Sequence, residues 1–369
     1  MNKHLIERKP YMQMLRNLKE QPVIKVITGM RRSGKSTLLE MLATEIGQTV
    51  KKEQIQFLNF EDLDTLAIGN FLQIYKHISL RHILPFSFAE YTSLVTNPQN
   101  FIKNESYADF WKTNPFNFTK DELLIDYIYK GSMPQAINMR NTVPEQENDY
   151  VKAILNSIIE KDIYKRRIIY NKPTFNKIVD FLFDSIGSYV SPNSIANTLK
   201  NEKIIIDNET VSNYLNYLSE SFLLYKVPRY DVKGKNLLKT LDKYYLADTG
   251  FRQARLGKKM TEDRGHLLEN MVYLELRRRN SEVYVGKLRD KEIDFVAIDN
   301  KGYVSYYQVA YTVIDEKTLE RELAPLQLIR DANPKYLLSA DWDTNPVYDG
   351  IRKYNVIDWM MDNTSRFYG

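Results

Sequence analysis

The chain has 369 residues, a net charge of +5 and a pI near 8.9, with 43% hydrophobic and 27% charged residues. Such a length and balance can bury a sizeable core over two or three domains and exclude global disorder. The absence of cysteine excludes disulfides, thiolate metal sites and cysteine nucleophiles; the four histidines have no metal-ligand spacing and argue against structural zinc.

Residues 8–20 place Met12, Leu15 and Leu18 at helical spacing. The segment before them lacks the apolar core of a signal peptide, and no apolar run approaches the roughly 18 residues that span a bilayer. The expectation is a cytoplasmic protein with no membrane contact. Next, the apolar run Val23–Ile27 leads into Gly29-Met30-Arg31-Arg32-Ser33-Gly34-Lys35-Ser36 and then Thr37-Leu38-Leu39. Strand, glycine-bounded loop and helix is the order of a phosphate-binding loop, G-x-x-x-x-G-K-[ST]. Gly29 turns the chain sharply off the strand, and Gly34 lets backbone N–H groups close on a phosphate. The helix N-terminus adds partial positive charge. Lys35 suits the β- and γ-phosphates of ATP, Ser36 suits Mg²⁺, and Thr37 adds a hydroxyl on the same turn.

A P-loop enzyme also needs an apolar strand ending in a carboxylate to hold the Mg²⁺ shell and position water. Ile55–Phe60 reads as a second strand, which makes Glu61 and Asp62 the candidate catalytic residues. Leu123–Asp126 is the other apolar run closing on an acid, but its continuation to Gly131 has helical spacing, and a helix is expected there. The interval from Asp62 to Pro85 is too short for further βα units at roughly 30 residues each. It reads as a connector.

Ser87 and Glu90 form a capping-box pattern before a helix. Residues 149–225 are strongly helical, with Ser191 and Asp207 at helix starts, and are followed by strands at 222–227 and 243–248 across a loop bearing Lys233, Lys235 and Lys239. Helix, helix, hairpin is the order of a winged helix-turn-helix, for which Asn213 and Asn216 are the candidate base readers. Packing between flanking domains competes with DNA binding for that segment. The basic clusters Lys161–Arg167 and Arg277–Arg279 fit either nucleic-acid phosphates or a solvated helix face. A helix over 264–279, strands at 283–285, 292–298 and 304–309, a helix near 316–330 and a strand at 335–339 give the last third an α/β pattern.

The loop Val26–Ser36 with its double arginine, Asn59-Phe60-Glu61-Asp62, Leu84–Tyr91, Tyr127–Pro134, Tyr245–Gly250, Arg264–Asn270, Glu292–Phe295 and Gln308–Ala310 together resemble a family of prokaryotic, archaeal-type AAA-like P-loop ATP-binding proteins with a C-terminal domain of unknown function. The resemblance implies an α/β P-loop NTPase domain over 1–145, a helical winged-helix domain over 146–255 and an α/β nuclease-like, restriction-endonuclease-like domain over 256–369. The family's Asp-Glu strand and sensor strand, expected before Pro85, are missing, which reads as an internal deletion. ATP with Mg²⁺ is then expected to bind while hydrolysis is impaired, and the shortened domain should expose sheet edges. Glu269, Asp294 and Gln308 resemble the PD-(D/E)xK nuclease arrangement, but Ala310 stands where its lysine belongs and Gln308 is uncharged. Three functions follow: an ATPase-family protein, a non-hydrolysing module binding DNA, RNA, a protein or a second copy of itself, or a weak metal-dependent nuclease.

Overall fold

The computed structural model describes residues 8–18, 24–49, 78–96, 119–257, 263–344 and 346–362. Helix α1 (Lys9–Leu18) buries Tyr11, Met12, Leu15 and Leu18, the expected helical stripe. Strand β1 (Ile24–Thr28) enters the glycine loop, and α2 (Lys35–Ile46) leaves it. The expected strand Ile55–Phe60, with Glu61 and Asp62, lies outside the described residues.

The stretch read as a connector contains a strand. Residues Ile78–His82 form β2, parallel to β1 with Ile24 opposite Ile78 and Thr28 opposite His82. Its alternation of apolar and polar residues is short, and only the long-range pairing makes it a strand. Among the described residues these two strands form a sheet of their own.

Helix α3 (Phe88–Thr96) starts as expected: Ser87 N–H donates to Glu90 Oε2 at 2.8 Å, and Glu90 N–H donates to Ser87 Oγ at 3.2 Å. Residues Lys120–Lys130 are helical (α4), with a Thr119–Glu122 capping box, so Asp126 does not end a strand. Helices α5 (Pro134–Thr142) and α6 (Pro144–Ser157) follow, and α6 runs on into a π-helical turn over Ile158–Tyr164. Then come α7 (Lys172–Asp184), β3 (Tyr189–Val190), α8 (Pro192–Asn201) and α9 (Asn208–Glu220), the last two capped by Ser191 and Asp207.

Strands β4 (Leu224–Asp231) and β5 (Asn236–Leu246) form a hairpin, with β3 antiparallel to β5. Pro228 sits where the β4–β5 register shifts, a position that needs no ladder donor. The hairpin is not free-standing: Arg229–Asp231 pair in parallel with Val285–Lys287 of β6 (Glu282–Leu288). With β7 (Lys291–Ile298), β8 (Val304–Ala310), β9 (Lys335–Ser339), β10 (Val347–Tyr348) and β11 (Ile351–Asn355), the described residues form one nine-stranded mixed sheet, ordered β10-β11-β9-β8-β7-β6-β4-β5-β3. It runs unbroken across residue 255.

After the short α10 (Gly250–Leu256), helix α11 (Arg264–Arg279) packs on one face of this sheet. Every residue from Leu267 to Leu276 is buried, as for a helix covered all round. Its core continues through the helices to Met30 in the glycine loop. Helix α12 (Glu316–Gln327) covers the other face, with its Leu323 and Leu326 clustered with Val296 and Leu337. Helix α13 (Val356–Met361) returns to α3, where Thr92 Oγ1 contacts Met361 Sδ at 3.3 Å. The Arg277–Arg279 cluster is largely structural. Arg278, 4% exposed, bonds Glu275 and the Pro85 carbonyl, while Arg279 pairs with Glu275 and lies 4.1 Å over the Trp359 ring.

Candidate functional site

The glycine loop is held from several sides. Gly29 has φ +137°, and a Cβ there would fall 2.2 Å from the Ile83 carbonyl oxygen, so only glycine fits. Gly34 has φ +91° with open space where a Cβ would stand, and Arg32 between them is also left-handed at φ +68°. Met30 is fully buried and anchors the loop in the main core. The buried Arg8 donates to the Ser33 carbonyl at 3.0 Å, to Leu84 O at 3.0 Å and to Pro85 O at 3.2 Å, and its Nε reaches Glu90 at 2.8 Å. One guanidinium therefore ties the phosphate-loop backbone to the turn before α3.

Two of the loop's cations, Lys35 and Arg31, are placed on internal partners. Lys35 Nζ donates to Gly29 O at 2.9 Å and Met30 O at 2.7 Å. Burial lowers its pKa, the nearby Arg31 charge lowers it further, and Asp162 partly offsets both. Arg31 forms a fork with Asp162, Nε to Oδ2 at 3.1 Å and Nη2 to Oδ1 at 2.9 Å. Asp162 comes from the π-helical turn, 131 residues along the chain. Ser36 is exposed at the start of α2, Thr37 follows half-buried, and the first turn of α2 carries no acid. Ser33 Oγ is buried without a hydrogen-bond partner among the described residues, the kind of orphan that an anion in the loop would satisfy.

Asp126 is committed elsewhere. It pairs with Arg140 at 2.6 Å and Lys130 at 2.6 Å and accepts from the Tyr91 hydroxyl at 2.6 Å. The chain motifs at 127–134 and 245–250 meet: buried Asp248 accepts from Ser132 N–H at 2.7 Å and Gly250 N–H at 2.9 Å, and a Cβ on Gly131 would strike its carboxylate. Burial pushes the Asp248 carboxyl up to about 6, although those backbone donors oppose it.

Glu269 of α11 lies within electrostatic reach of Asp294 on β7, which neighbours Gln308 on β8. Asp294 N–H donates to Gln308 Oε1 at 3.4 Å, Val309 N–H donates to Asp294 Oδ2 at 2.8 Å, and Gln308 Nε2 donates to Glu322 at 2.9 Å. Among the described residues a lysine reaches these acids from β5: Lys243 lies 2.9 Å from Glu269 and 2.5 Å from Glu292. Tyr245 donates to the same Glu269 oxygen at 2.5 Å. Lys243 is 5% exposed; burial opposes its charge, but Glu269, Asp294 and Glu292 outweigh that and raise its pKa. Burial and the Glu269 charge raise the Asp294 carboxyl well above the usual range. Among the described residues no group of three His, Cys, Asp or Glu side chains could hold a metal ion.

Arg8, Asp162 and Lys243 escaped sequence reasoning. Arg8 stood in an unremarkable polar run, Asp162 inside a cluster read as basic, and Lys243 on a strand outside the acidic motifs.

Comparison with known proteins gives the following. Residues 21–86 match an AAA domain, and residues 121–262 match a domain of unknown function, DUF8612. An uncharacterized protein of Haemophilus influenzae is 30% identical over 409 aligned positions, covering 98% of this chain and 100% of that protein. The uncharacterized protein MJ1544 of Methanocaldococcus jannaschii is 28% identical over 249 positions, covering 65% of this chain and 51% of its own length.

Proposed function

Because the chain belongs to the family of the Haemophilus influenzae protein, whose whole length it matches, and carries an AAA-type region, we propose that it binds MgATP at the Gly29–Thr37 loop. One observation carries the reading: Gly29, Arg32 and Gly34 hold backbone at positive φ, open space lies where a Gly34 Cβ would stand, and the Lys35 ammonium rests on loop carbonyls. Lys35 would exchange those carbonyls for the β- and γ-phosphates, and backbone N–H groups from Arg31 to Ser36 would cradle them. The Ser36 hydroxyl would ligate Mg²⁺, which supplies charge neutralisation when bound. The orphaned Ser33 Oγ fits an anion-binding loop.

Hydrolysis is proposed to be slow. Asp126 is locked in its pairs with Arg140 and Lys130, and Glu61 and Asp62 stay the only carboxylates proposed for water positioning. The alignment to the Haemophilus influenzae protein runs over more positions than this chain has residues, so the relative carries residues that this chain lacks. We read the short interval between Asp62 and Pro85 as one place where such residues would be missing. The test is MgATP binding and steady-state phosphate release on one preparation, with Lys35→Ala alongside. Binding lost in Lys35→Ala with little release supports the reading; binding retained in Lys35→Ala overturns it.

A second reading concerns the rest of the chain. We read residues 146–255 as a winged helix contacting nucleic acid or protein, supported by β3 pairing with β5 and by Asn213, Asn216, Lys233 and Lys235 on exposed positions. We read 256–369 as a nuclease-like scaffold whose acidic residues are neutralised by Lys243. DNA and RNA should stay intact with Mg²⁺ or Mn²⁺; cleavage abolished by Asp294→Ala would refute this.

A further inference from the structure

We propose that Arg31 senses the terminal phosphate of the bound nucleotide, and that Asp162 competes with that phosphate for the Arg31 guanidinium. The inference rests on the MgATP reading of the loop and adds which residue tells triphosphate from diphosphate.

Two cations of the loop are satisfied internally, but in different ways. Lys35 is held by carbonyls of the loop itself, five and six residues away. Arg31 is held by a carboxylate from a distant element, the turn Ile158–Tyr164, through a two-bond fork. A guanidinium fork fits a carboxylate and a phosphate alike. A terminal phosphate carries more charge than a carboxylate, so an arriving triphosphate draws the fork toward itself. Both side chains are mostly covered, Arg31 25% and Asp162 15% exposed, so solvent screens the exchange only partly.

Asp162 does not lose its counter-charge in the exchange. Arg166, four residues on, already lies 3.6 Å from the same Oδ1 atom and is 71% exposed. It can close on Asp162 when Arg31 leaves. The π-helical form of this turn suits such a role, since these turns recur at functional positions. Lys35 feels both Arg31 and Asp162, which puts the pair within electrostatic reach of the ammonium that meets the phosphates.

The experiment measures MgATP and MgADP affinities of the full chain by titration calorimetry, for wild type, Asp162→Asn, Arg31→Lys and Lys35→Ala. Asp162→Asn keeps the shape and removes the competing charge. It should tighten MgATP roughly tenfold, the size of one charge-assisted hydrogen bond freed, and shift MgADP by less than about threefold. Arg31→Lys keeps the charge, loses the fork and should bring the two affinities together. A purely structural ion pair would weaken both nucleotides equally in Asp162→Asn, and that result, or an unchanged ATP-to-ADP ratio, overturns the proposal. Failure of the underlying reading looks different: wild type would bind neither nucleotide, or Lys35→Ala would bind as well as wild type.

Discussion

Replacing Arg8 by methionine should unfasten the phosphate loop from its support while keeping the volume of the side chain. Arg8 is 3% exposed and Glu90 11%, and the pair is joined at Nε–Oε1, 2.8 Å, and Nη2–Oε2, 3.0 Å. The same guanidinium satisfies the carbonyls of Ser33, Leu84 and Pro85 and packs on the rings of Tyr11 and Phe86 at 4.4 and 4.9 Å. Methionine recovers part of the packing but strands a buried carboxylate. Removing one partner of such a pair costs about 3–5 kcal/mol, and Arg8→Met is expected within that range. The pH dependence follows from Glu90. Burial alone would push its carboxyl up, but the Arg8 charge and hydrogen bonds hold it below the usual range. Its stabilisation is therefore present above the ordinary carboxylate pKa of about 4.3 and lost as pH falls through the depressed folded value. Urea denaturation of wild type and Arg8→Met at pH 7 and in acid is the assay, with the gap expected to narrow in acid. A loss under about 1 kcal/mol at pH 7, the size of an exposed pair, would refute the reasoning.

Three further outcomes are expected. Asp248, raised to about 6, binds a proton more readily folded than unfolded, so its contribution is present below about 4 and lost as pH rises through about 6. Wild type should therefore lose on the order of 3 kcal/mol relative to Asp248→Asn between those limits, read by denaturation at stepped pH. Lys243→Met leaves Glu269 and Glu292 without their shared cation and should cost about 3–5 kcal/mol, largely recovered when Glu269→Gln is added. Gly29→Ala drives a Cβ into the Ile83 carbonyl and should abolish MgATP binding in the calorimeter, whereas retained binding would mean that the loop relaxes freely.

Much of the local structure was legible because it is written in neighbouring residues. The Ser87–Glu90 and Ser191 caps, the helix over 264–279 and the helical rather than extended Leu123–Asp126 all follow from spacing and caps. The glycine loop was legible because backbone chemistry restricts its residue types. What escaped depends on partners far along the chain. Strand β2 exists through β1, Asp162 matters through Arg31, and Lys243 reaches Glu269 only because β5 joins the C-terminal sheet. The arginine cluster at 277–279 looked like a surface because charge alone does not reveal a buried acceptor such as the Pro85 carbonyl.

That carbonyl has a consequence for how the protein is made. Pro85 O accepts from Arg8 and from Arg278, 77 and 193 residues away along the chain. A ribosome delivers the first donor before Pro85 and the second long after it. The turn that braces the phosphate loop is thus completed only once α11 has emerged. Until then Pro85 O has only the first of these two donors, and the apolar face that α11 packs against stays uncovered. Such high contact order slows folding and lengthens exposure to aggregation. Nascent chains arrested before Arg278 should accordingly depend on chaperones, whereas chains released beyond it should not.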